Sequence, residues 1–99
     1  MENRKLRWDS VAIKQFDKAI EYIALDSFQN AEKVRAAILE NIEKLLTYPE
    51  IYSPDKFKEN NDGSFRAFEL YHYRVTYYVS ENEIRILRIR HTKQEPKPY

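Results

Sequence analysis

The chain has 99 residues, of which 42% are apolar and 14% aromatic, so it is too apolar to be disordered and long enough for one modest core. It has no cysteine, which excludes disulfides and thiolate chemistry, and no apolar run long enough for a transmembrane helix or a signal peptide. We therefore predict a single domain over residues 1–99, in the reducing environment of the cytoplasm.

The charge is unevenly distributed along the chain. The net charge is only +1, yet residues 64–99 contain seven Lys or Arg against four Asp or Glu, and both histidines. Residues 1–63 contain ten Lys or Arg against twelve Asp or Glu. Any anionic partner is therefore expected to bind the C-terminal third.

A short strand and two amphipathic helices are predicted in the first half. The strand is Lys5–Trp8, and Asp9-Ser10 offers N-cap side chains for a helix with the apolar stripe Ala12, Phe16, Ala19, Ile20 and Ile23. Asp26 and Ser27 separate it from a second helix, which ends before Pro49 and has the stripe Ala31, Val34, Ile38, Ile42 and Leu45. Two such helices joined by a few residues are predicted to form an antiparallel hairpin.

Three strands are predicted after a polar connection at residues 49–63. That connection ends in the turn signal Asn61-Asp62-Gly63, and the only glycine of the chain is expected to have a positive φ. The predicted strands are Phe65–Tyr71, Tyr73–Val79 and Ile84–Arg90, followed by an extended tail over residues 91–99.

Strict alternation places apolar residues on both faces of the last strand. Ile84 and Ile86 would share a face with Arg88 and Arg90, so the pattern does not show which face meets the helices. The order β-α-α-β-β-β predicts an α+β fold, with the helical hairpin packed on a twisted, mostly antiparallel sheet. The other face of the sheet is expected to be at least partly open.

No cofactor or metal site is predicted. A single glycine excludes glycine-rich phosphate loops, and two histidines without cysteine are too few for a typical zinc site. The chemistry-bearing residues are instead a basic and aromatic set in the C-terminal third: Arg66, Arg74, Arg88, Arg90, His91 and Lys93, with Tyr71, Tyr73, Tyr78 and Tyr99.

This basic and aromatic set has two interpretations. Arginine binds phosphate, tyrosine stacks on unpaired bases and histidine transfers protons, so together they can bind and cut RNA without a metal. Alternatively, Arg66 and Arg74 only pair with Glu69, Glu81 or Glu83 across the sheet. In that case Tyr77 is a core ring and His72 a turn residue.

Three segments resemble the C-terminal part of RelE/ParE toxins. They are Arg66-Ala67-Phe68, the run His72-Tyr73-Arg74-Val75-Thr76-Tyr77, and the run from Glu83 to Lys93 that includes Ile86-Leu87-Arg88 and ends in a histidine and a basic residue. The resemblance implies the same α+β fold and a type II toxin–antitoxin module, in which a cognate antitoxin inactivates the toxin in a hetero-oligomer. RelE-like members cut mRNA in the ribosomal A site, whereas ParE-like members poison DNA gyrase.

The resemblance also assigns roles to individual residues. Arg74 matches the phosphate-contacting arginine, His91 and Lys93 match groups that assist proton transfer, and Tyr99 matches a C-terminal aromatic. Arg66, Arg88 and Arg90 are expected to bind RNA. The leading hypothesis is therefore a metal-independent endoribonuclease that acts on ribosome-bound mRNA.

Two alternatives stand beside this hypothesis. One is gyrase inhibition, and the other is a non-toxic member that only binds its antitoxin. No membrane partner is expected.

Overall fold

A computed structural model describes residues 4–94 and 97–99 of the chain. Within these residues, neither helix combines the length and the apolar content that crossing a membrane requires. The elements, in chain order, are β1 (Lys5–Trp8), α1 (Ser10–Asp26), α2 (Phe28–Lys44), β2 (Phe65–Leu70), β3 (Tyr73–Val79) and β4 (Glu83–His91). The predicted α+β order is confirmed.

The four strands form one mixed sheet in the order β1-β4-β3-β2. The pairs β2–β3 and β3–β4 are antiparallel, while β1 runs parallel to β4 at the sheet edge. Parallel pairing of the first and last strands needs a long crossover, and here the chain passes through both helices, β2 and β3 before β4 pairs with β1. The mostly antiparallel sheet predicted from the sequence is therefore confirmed.

A β-bulge in β4 decides which face of the sheet meets the helices. The register shifts between Thr76 and Tyr77, so that Thr76 pairs with Arg88 but Tyr77 pairs with Ile86. The extra residue on β4 reverses the alternation beyond it. Ile89 therefore joins Ile84 and Ile86 on the helix-covered face.

The expectation that Ile84 and Ile86 share a face with Arg88 and Arg90 is therefore wrong. It assumed strict alternation, which a bulge breaks. The bulge leaves one face of β4 apolar and the other basic.

The core lies between the helical hairpin and the apolar face of the sheet. Its fully buried side chains include Ile38, Ile42, Leu45, Val75, Tyr77, Ile84 and Ile86. Tyr77 is the largest of them, and its hydroxyl donates to the Pro49 carbonyl at 3.2 Å. Burial raises the pKa of Tyr77 to about 12, so this ring is a core residue, as the second interpretation of the sequence proposed.

The helix boundaries agree with the predicted caps in part. The Ser27 side chain accepts a hydrogen bond from the Asn30 amide and so caps α2. The Asp9 side chain does not cap α1, and that expectation is wrong. Its carboxylate instead accepts a hydrogen bond from Arg85 Nη1 at 2.9 Å, since a charged partner competes with the helix amides.

Two local predictions after the connection are wrong, and one is confirmed. Gly63 has the expected positive φ, at 100°. Tyr71 is not the end of a strand, because Tyr71 and His72 both have positive φ and form the two-residue turn between β2 and β3. The tail is not extended at Thr92–Gln94, where the Gln94 amide donates to the His91 carbonyl and closes a turn. Glu95 and Pro96 lie outside the described residues.

Candidate functional site

The basic face of the sheet carries the arginines that the sequence singles out. Arg74 pairs with Arg90 and Thr76 pairs with Arg88 across β3 and β4, so the three arginines point to the face away from the helices. A cavity of about 230 Å³ opens over them. Its walls include Asp55, Phe57, Tyr99 and Lys97, and we call it the Arg74 cavity.

Arg74 is held by two carboxylates at the wall of this cavity. Its Nη2 donates to Asp55 Oδ1 at 2.7 Å and its Nη1 donates to Glu69 Oε2 at 2.9 Å. The guanidinium also lies 4.9 Å from the centre of the Phe57 ring. Because two negative charges contact one cation, the guanidinium has little positive charge to offer a further anion. The sequence-based alternative is therefore confirmed for Arg74, which pairs with Glu69, and wrong for Arg66, which donates to backbone carbonyls and to no carboxylate in the described part of the chain.

Asp55 is the residue that Arg74, Tyr99 and Phe57 all contact by hydrogen bonds. It is 3% exposed, and it accepts hydrogen bonds from Arg74, from the Tyr99 hydroxyl at 2.7 Å and from the Phe57 amide at 3.0 Å. Burial acts to raise the pKa of Asp55, but the bonds from Tyr99, Phe57 and Arg74 outweigh it, so the pKa is lowered. Asp55 is therefore ionised at neutral pH.

Tyr99 is fixed by its backbone as well as by its hydroxyl. Its amide donates to the Phe57 carbonyl at 3.0 Å, and its carbonyl accepts from the Glu59 amide at 2.6 Å. Burial and the hydrogen bond to Asp55 raise the pKa of Tyr99 far above neutrality. The phenolic proton is therefore held by Asp55 rather than directed into the cavity.

Arg88 and Arg90 complete the floor of the cavity. The Arg88 guanidinium lies 4.2 Å from the centre of the Tyr99 ring, a cation–π contact. Within residues 4–94 and 97–99, no carboxylate forms an ion pair with Arg88 or Arg90. The positive charge that the cavity offers comes from these two arginines and Lys97, not from Arg74.

Another predicted site residue, Arg66, lies away from this cavity. Arg66 pairs with Tyr77 in the register and so belongs to the helix-covered face. Its guanidinium donates to the Gly63 carbonyl at 2.9 Å and to the Tyr52 carbonyl at 2.6 Å, contacts that hold the connection against the sheet. The structure does not bring Arg66 to the Arg74 cavity.

His91 lies between two cavities, and Lys93 lies outside the lining of the Arg74 cavity. His91 pairs with Tyr73, on the helix side of the sheet, and its ring packs edge-on against the Tyr73 ring at 5.1 Å. Lys93 follows in the turn after β4 and lines a second, larger cavity beside α1. Of the four residues predicted as catalytic, Arg74, His91 and Tyr99 thus line the Arg74 cavity, whereas Lys93 lines only the second cavity.

Asp55 was missed by the sequence analysis. It lies in a polar connection, where an isolated carboxylate looks like any solvated residue. Its one local signal is that its side chain accepts from the amide two residues later, an Asx turn that many exposed aspartates also form. In the described part of the chain, no group of three His, Cys, Asp or Glu side chains is placed to hold a metal ion.

The fold and the family match identify a class of small toxin. The chain matches the family model "ParE toxin of type II toxin-antitoxin system, parDE" over residues 6–96. It therefore belongs to the ParE toxin family. A search of curated protein sequences finds no match.

Solved structures agree with this family assignment. A chain of the chromosomal ParDE toxin–antitoxin system of P. aeruginosa is 22% identical, with a TM-score of 0.68, and the match covers 90% of this chain and 96% of that one. The RelBE2 toxin–antitoxin complex of Mycobacterium tuberculosis has 18% identity, a TM-score of 0.60, and coverage of 90% and 98%. The YoeB dimer of Staphylococcus aureus has 16% identity, a TM-score of 0.60, and coverage of 90% and 97%. At these identities the likeness establishes the shared fold.

Proposed function

We propose that this chain is the toxin of a type II toxin–antitoxin module and that it arrests growth by binding a protein target, DNA gyrase. The observation that carries the proposal is the ion pair between Arg74 and the buried Asp55. The family match supports the toxin role, and the resemblance to ParE-like toxins implies gyrase as the target.

The state of Arg74 argues against RNA cleavage. An arginine that stabilises a phosphate in the transition state must have free donors directed at that phosphate. Here Nη1 and Nη2 each already donate to a carboxylate. Freeing the guanidinium would leave the 3%-exposed Asp55 without its cation, and breaking such a buried pair is strongly destabilising.

The candidate proton-transfer groups also argue against RNA cleavage. Cleavage at a 2′-hydroxyl needs a base and an acid on opposite sides of one phosphate. Tyr99 has a raised pKa and donates to Asp55, so it is a weak acid at neutral pH. His91 lines the Arg74 cavity, but its Nδ1 already accepts a hydrogen bond from the Lys93 amide at 3.0 Å, so that nitrogen is not free to take a proton from the 2′-hydroxyl.

A cognate antitoxin is the expected partner. Two of the structural relatives come from toxin–antitoxin systems, and a globular domain rarely exposes a large apolar patch without a binding role. This chain exposes Tyr22, Leu25 and Phe28 near the tip of the helical hairpin, at 70%, 86% and 71% of their surface. We propose that the antitoxin covers part of this surface in a hetero-oligomer.

Ribosome-dependent mRNA cleavage is the second candidate, supported by the cationic floor of the Arg74 cavity. Arg88, Arg90 and Lys97 suit a phosphate chain, and the Tyr99 ring suits a stacked base. Under this candidate Arg74, His91, Lys93 and Tyr99 would act in catalysis, with Arg66, Arg88 and Arg90 binding RNA. The sites predicted from the sequence stay predictions for this mechanism.

Removing the cationic floor separates the two candidates. The double variant Arg88→Gln and Arg90→Gln deletes two charges that have no carboxylate partner in the described part of the chain. If the chain cuts mRNA, ribosome-dependent cleavage should fall by roughly 10²-fold or more. If it binds gyrase through other surfaces, inhibition of supercoiling should persist.

The control is Arg35→Gln, at an exposed position of α2. It should change neither assay. Wild-type protein that cuts mRNA on ribosomes but leaves supercoiling intact would overturn the proposal in favour of the second candidate. Normal growth of cells that express soluble, folded protein would overturn both and leave a non-toxic antitoxin-binding member.

A further inference from the structure

Two cavities meet at a shared wall near the end of β4. The Arg74 cavity and the larger cavity beside α1, of about 640 Å³, have three lining residues in common: Arg90, His91 and Gln94. This wall lies past the end of β1, which pairs only with the first part of β4, Glu83–Ile86. Beyond it the edge of β4 faces α1, whose Gln15 side chain accepts a hydrogen bond from the Ile89 amide at 2.7 Å. The two cavities therefore form one continuous surface around the edge of the sheet.

Five cations without a carboxylate partner lie along this surface, which we call the cationic track: Arg88 and Lys97 in the Arg74 cavity, Arg90 in the shared wall, and Lys18 and Lys93 beside α1. Within residues 4–94 and 97–99, none of the five forms an ion pair. The acidic residues that line the two cavities in this part of the chain are Asp55 and Glu69, and both are bound by Arg74. The track therefore has a surplus of positive charge, although the net charge of the whole chain is only +1.

Amide and imidazole groups add hydrogen-bond donors to the track. The side-chain oxygens of Gln15 and Gln94 each accept from a backbone amide, at 2.7 Å and 3.2 Å, which leaves their NH₂ groups for a ligand. His91 Nδ1 accepts from the Lys93 amide at 3.0 Å, so the proton of the neutral imidazole is on Nε2, which is a donor. Cations and donors that are spread over two cavities fit a ligand with repeated anionic acceptors, and a nucleic-acid phosphate backbone is such a ligand.

The aromatic rings along the track favour a duplex over a single strand. Proteins bind single strands by stacking successive bases on open aromatic faces. The Arg88 guanidinium lies 4.2 Å from the centre of the Tyr99 ring, so a base would have to displace it. The Arg74 guanidinium likewise lies 4.9 Å from the centre of the Phe57 ring. Tyr22 is exposed, but one ring does not provide successive stacking platforms. A duplex offers its phosphates while its bases stay stacked, so it needs no open ring.

We propose that the cationic track binds the phosphate backbone of duplex DNA, so that the toxin contacts the DNA that gyrase handles as well as gyrase itself. The inference rests on the proposed function for the source of the DNA. Because the contacts are to the backbone, binding does not depend on the base sequence. The DNA contact adds to the protein contact, and it gives Lys93 and His91 a role in binding rather than in proton transfer.

The direct test is the fluorescence anisotropy of a labelled DNA duplex titrated with the wild-type chain at several salt concentrations. Each phosphate contact contributes about −0.9 to the slope of log affinity against log salt concentration, so the five cations predict a slope of about −4 to −5. A duplex that does not bind at low salt, or whose affinity does not depend on salt, would overturn the inference. Tighter binding of a single-stranded RNA of the same sequence would overturn it in favour of the second candidate function.

Single substitutions test whether the two cavities act together. Lys97 lines only the Arg74 cavity and Lys18 lines only the cavity beside α1, and both side chains are exposed, so neither substitution should disturb the fold. Lys97→Gln and Lys18→Gln should each make the salt slope less negative by about 1. The double variant should lower the slope by about 2 and weaken binding roughly tenfold, since each exposed charge contributes modestly.

The matched control removes two charges elsewhere. Arg35→Gln combined with Lys44→Gln makes the same change in net charge at exposed positions of α2 that line neither cavity, and it should leave the slope and the affinity unchanged. A slope that responds to only one of Lys18→Gln and Lys97→Gln would show a site confined to one cavity. Equal weakening by the control would reduce the effect to net charge, and either result would overturn the inference.

Inhibition of gyrase distinguishes this inference from the proposed function. The Lys18→Gln, Lys97→Gln variant should still inhibit supercoiling, because its protein contacts remain, but at a concentration several-fold higher than the wild type. If the wild type leaves supercoiling intact, the proposed function fails whatever the affinity for DNA. If the wild type inhibits gyrase but does not bind the duplex, or the double variant inhibits at the same concentration as the wild type, only the DNA track is wrong.

Discussion

Replacing Asp55 with asparagine tests whether one buried carboxylate organises the site. The substitution keeps the size of the side chain but removes the charge that faces Arg74 at 2.7 Å and Tyr99 at 2.7 Å. Removing one partner of a buried pair costs about 3–5 kcal/mol, and Arg74 keeps its exposed partner Glu69. We therefore expect the free energy of unfolding to fall by about 2–4 kcal/mol.

Urea denaturation measures this loss directly. The single tryptophan, Trp8, packs against Phe16 with ring centres 5.5 Å apart, so its fluorescence reports the integrity of the core. A loss of this size should lower the melting temperature by very roughly 10–25 °C in a domain of this length. Asp17→Asn, at an exposed position of α1, is the matched control and should leave the unfolding midpoint unchanged.

The pH dependence gives an independent check of the same carboxylate. The pKa of Asp55 is lowered in the folded chain, so its stabilising contribution is present above the unfolded pKa of about 4 and is lost as the pH falls through the folded value. The Asp55→Asn variant should lose this part of the acid sensitivity. A variant as stable as wild type at neutral pH, with the same acid transition, would refute the role assigned to Asp55.

Two further substitutions test the parts around the site. Tyr99→Phe removes the hydroxyl that donates to Asp55. The free energy of unfolding, measured by urea denaturation, should fall by about 1.5–3 kcal/mol, the range for a hydrogen bond to a charged group. A fall below about 0.5 kcal/mol would mean that the hydroxyl does not hold Asp55. His72→Gly should stabilise the chain by about 0.5–1 kcal/mol, because His72 has a φ of 70° that glycine adopts without strain. A loss of stability in thermal unfolding would show instead that the stacking of His72 on His91, with ring centres 6.2 Å apart, outweighs the strain.

The regular elements could be predicted because each has a periodic signal. The stripe from Ala31 to Leu45 repeats at helical spacing, and Ala31, Val34, Ile38, Ile42 and Leu45 are all buried. The strand at Tyr73–Val79 has the bounds that the sequence predicted. The family resemblance rested on the same segment and is confirmed by the family match.

The errors lie where a single residue or a long-range contact decides the geometry. The bulge in β4 changes the alternation by one residue, and nothing local in Ile86-Leu87-Arg88 signals it. Asp55 meets Arg74 across 19 positions of sequence and Tyr99 across 44, so no short-range pattern could reveal that the arginine is neutralised. The family resemblance assigned roles to Arg74 and His91, but only the register shows that their strand positions lie on opposite faces of the sheet.

Supercoiling by purified DNA gyrase, with the wild-type chain added and no ribosomes present, tests the central claim most directly. The account predicts that supercoiling is inhibited in proportion to the added protein and that relaxation by an unrelated topoisomerase is unaffected. A chain that leaves supercoiling intact, yet cuts mRNA when programmed ribosomes are supplied, would contradict the account.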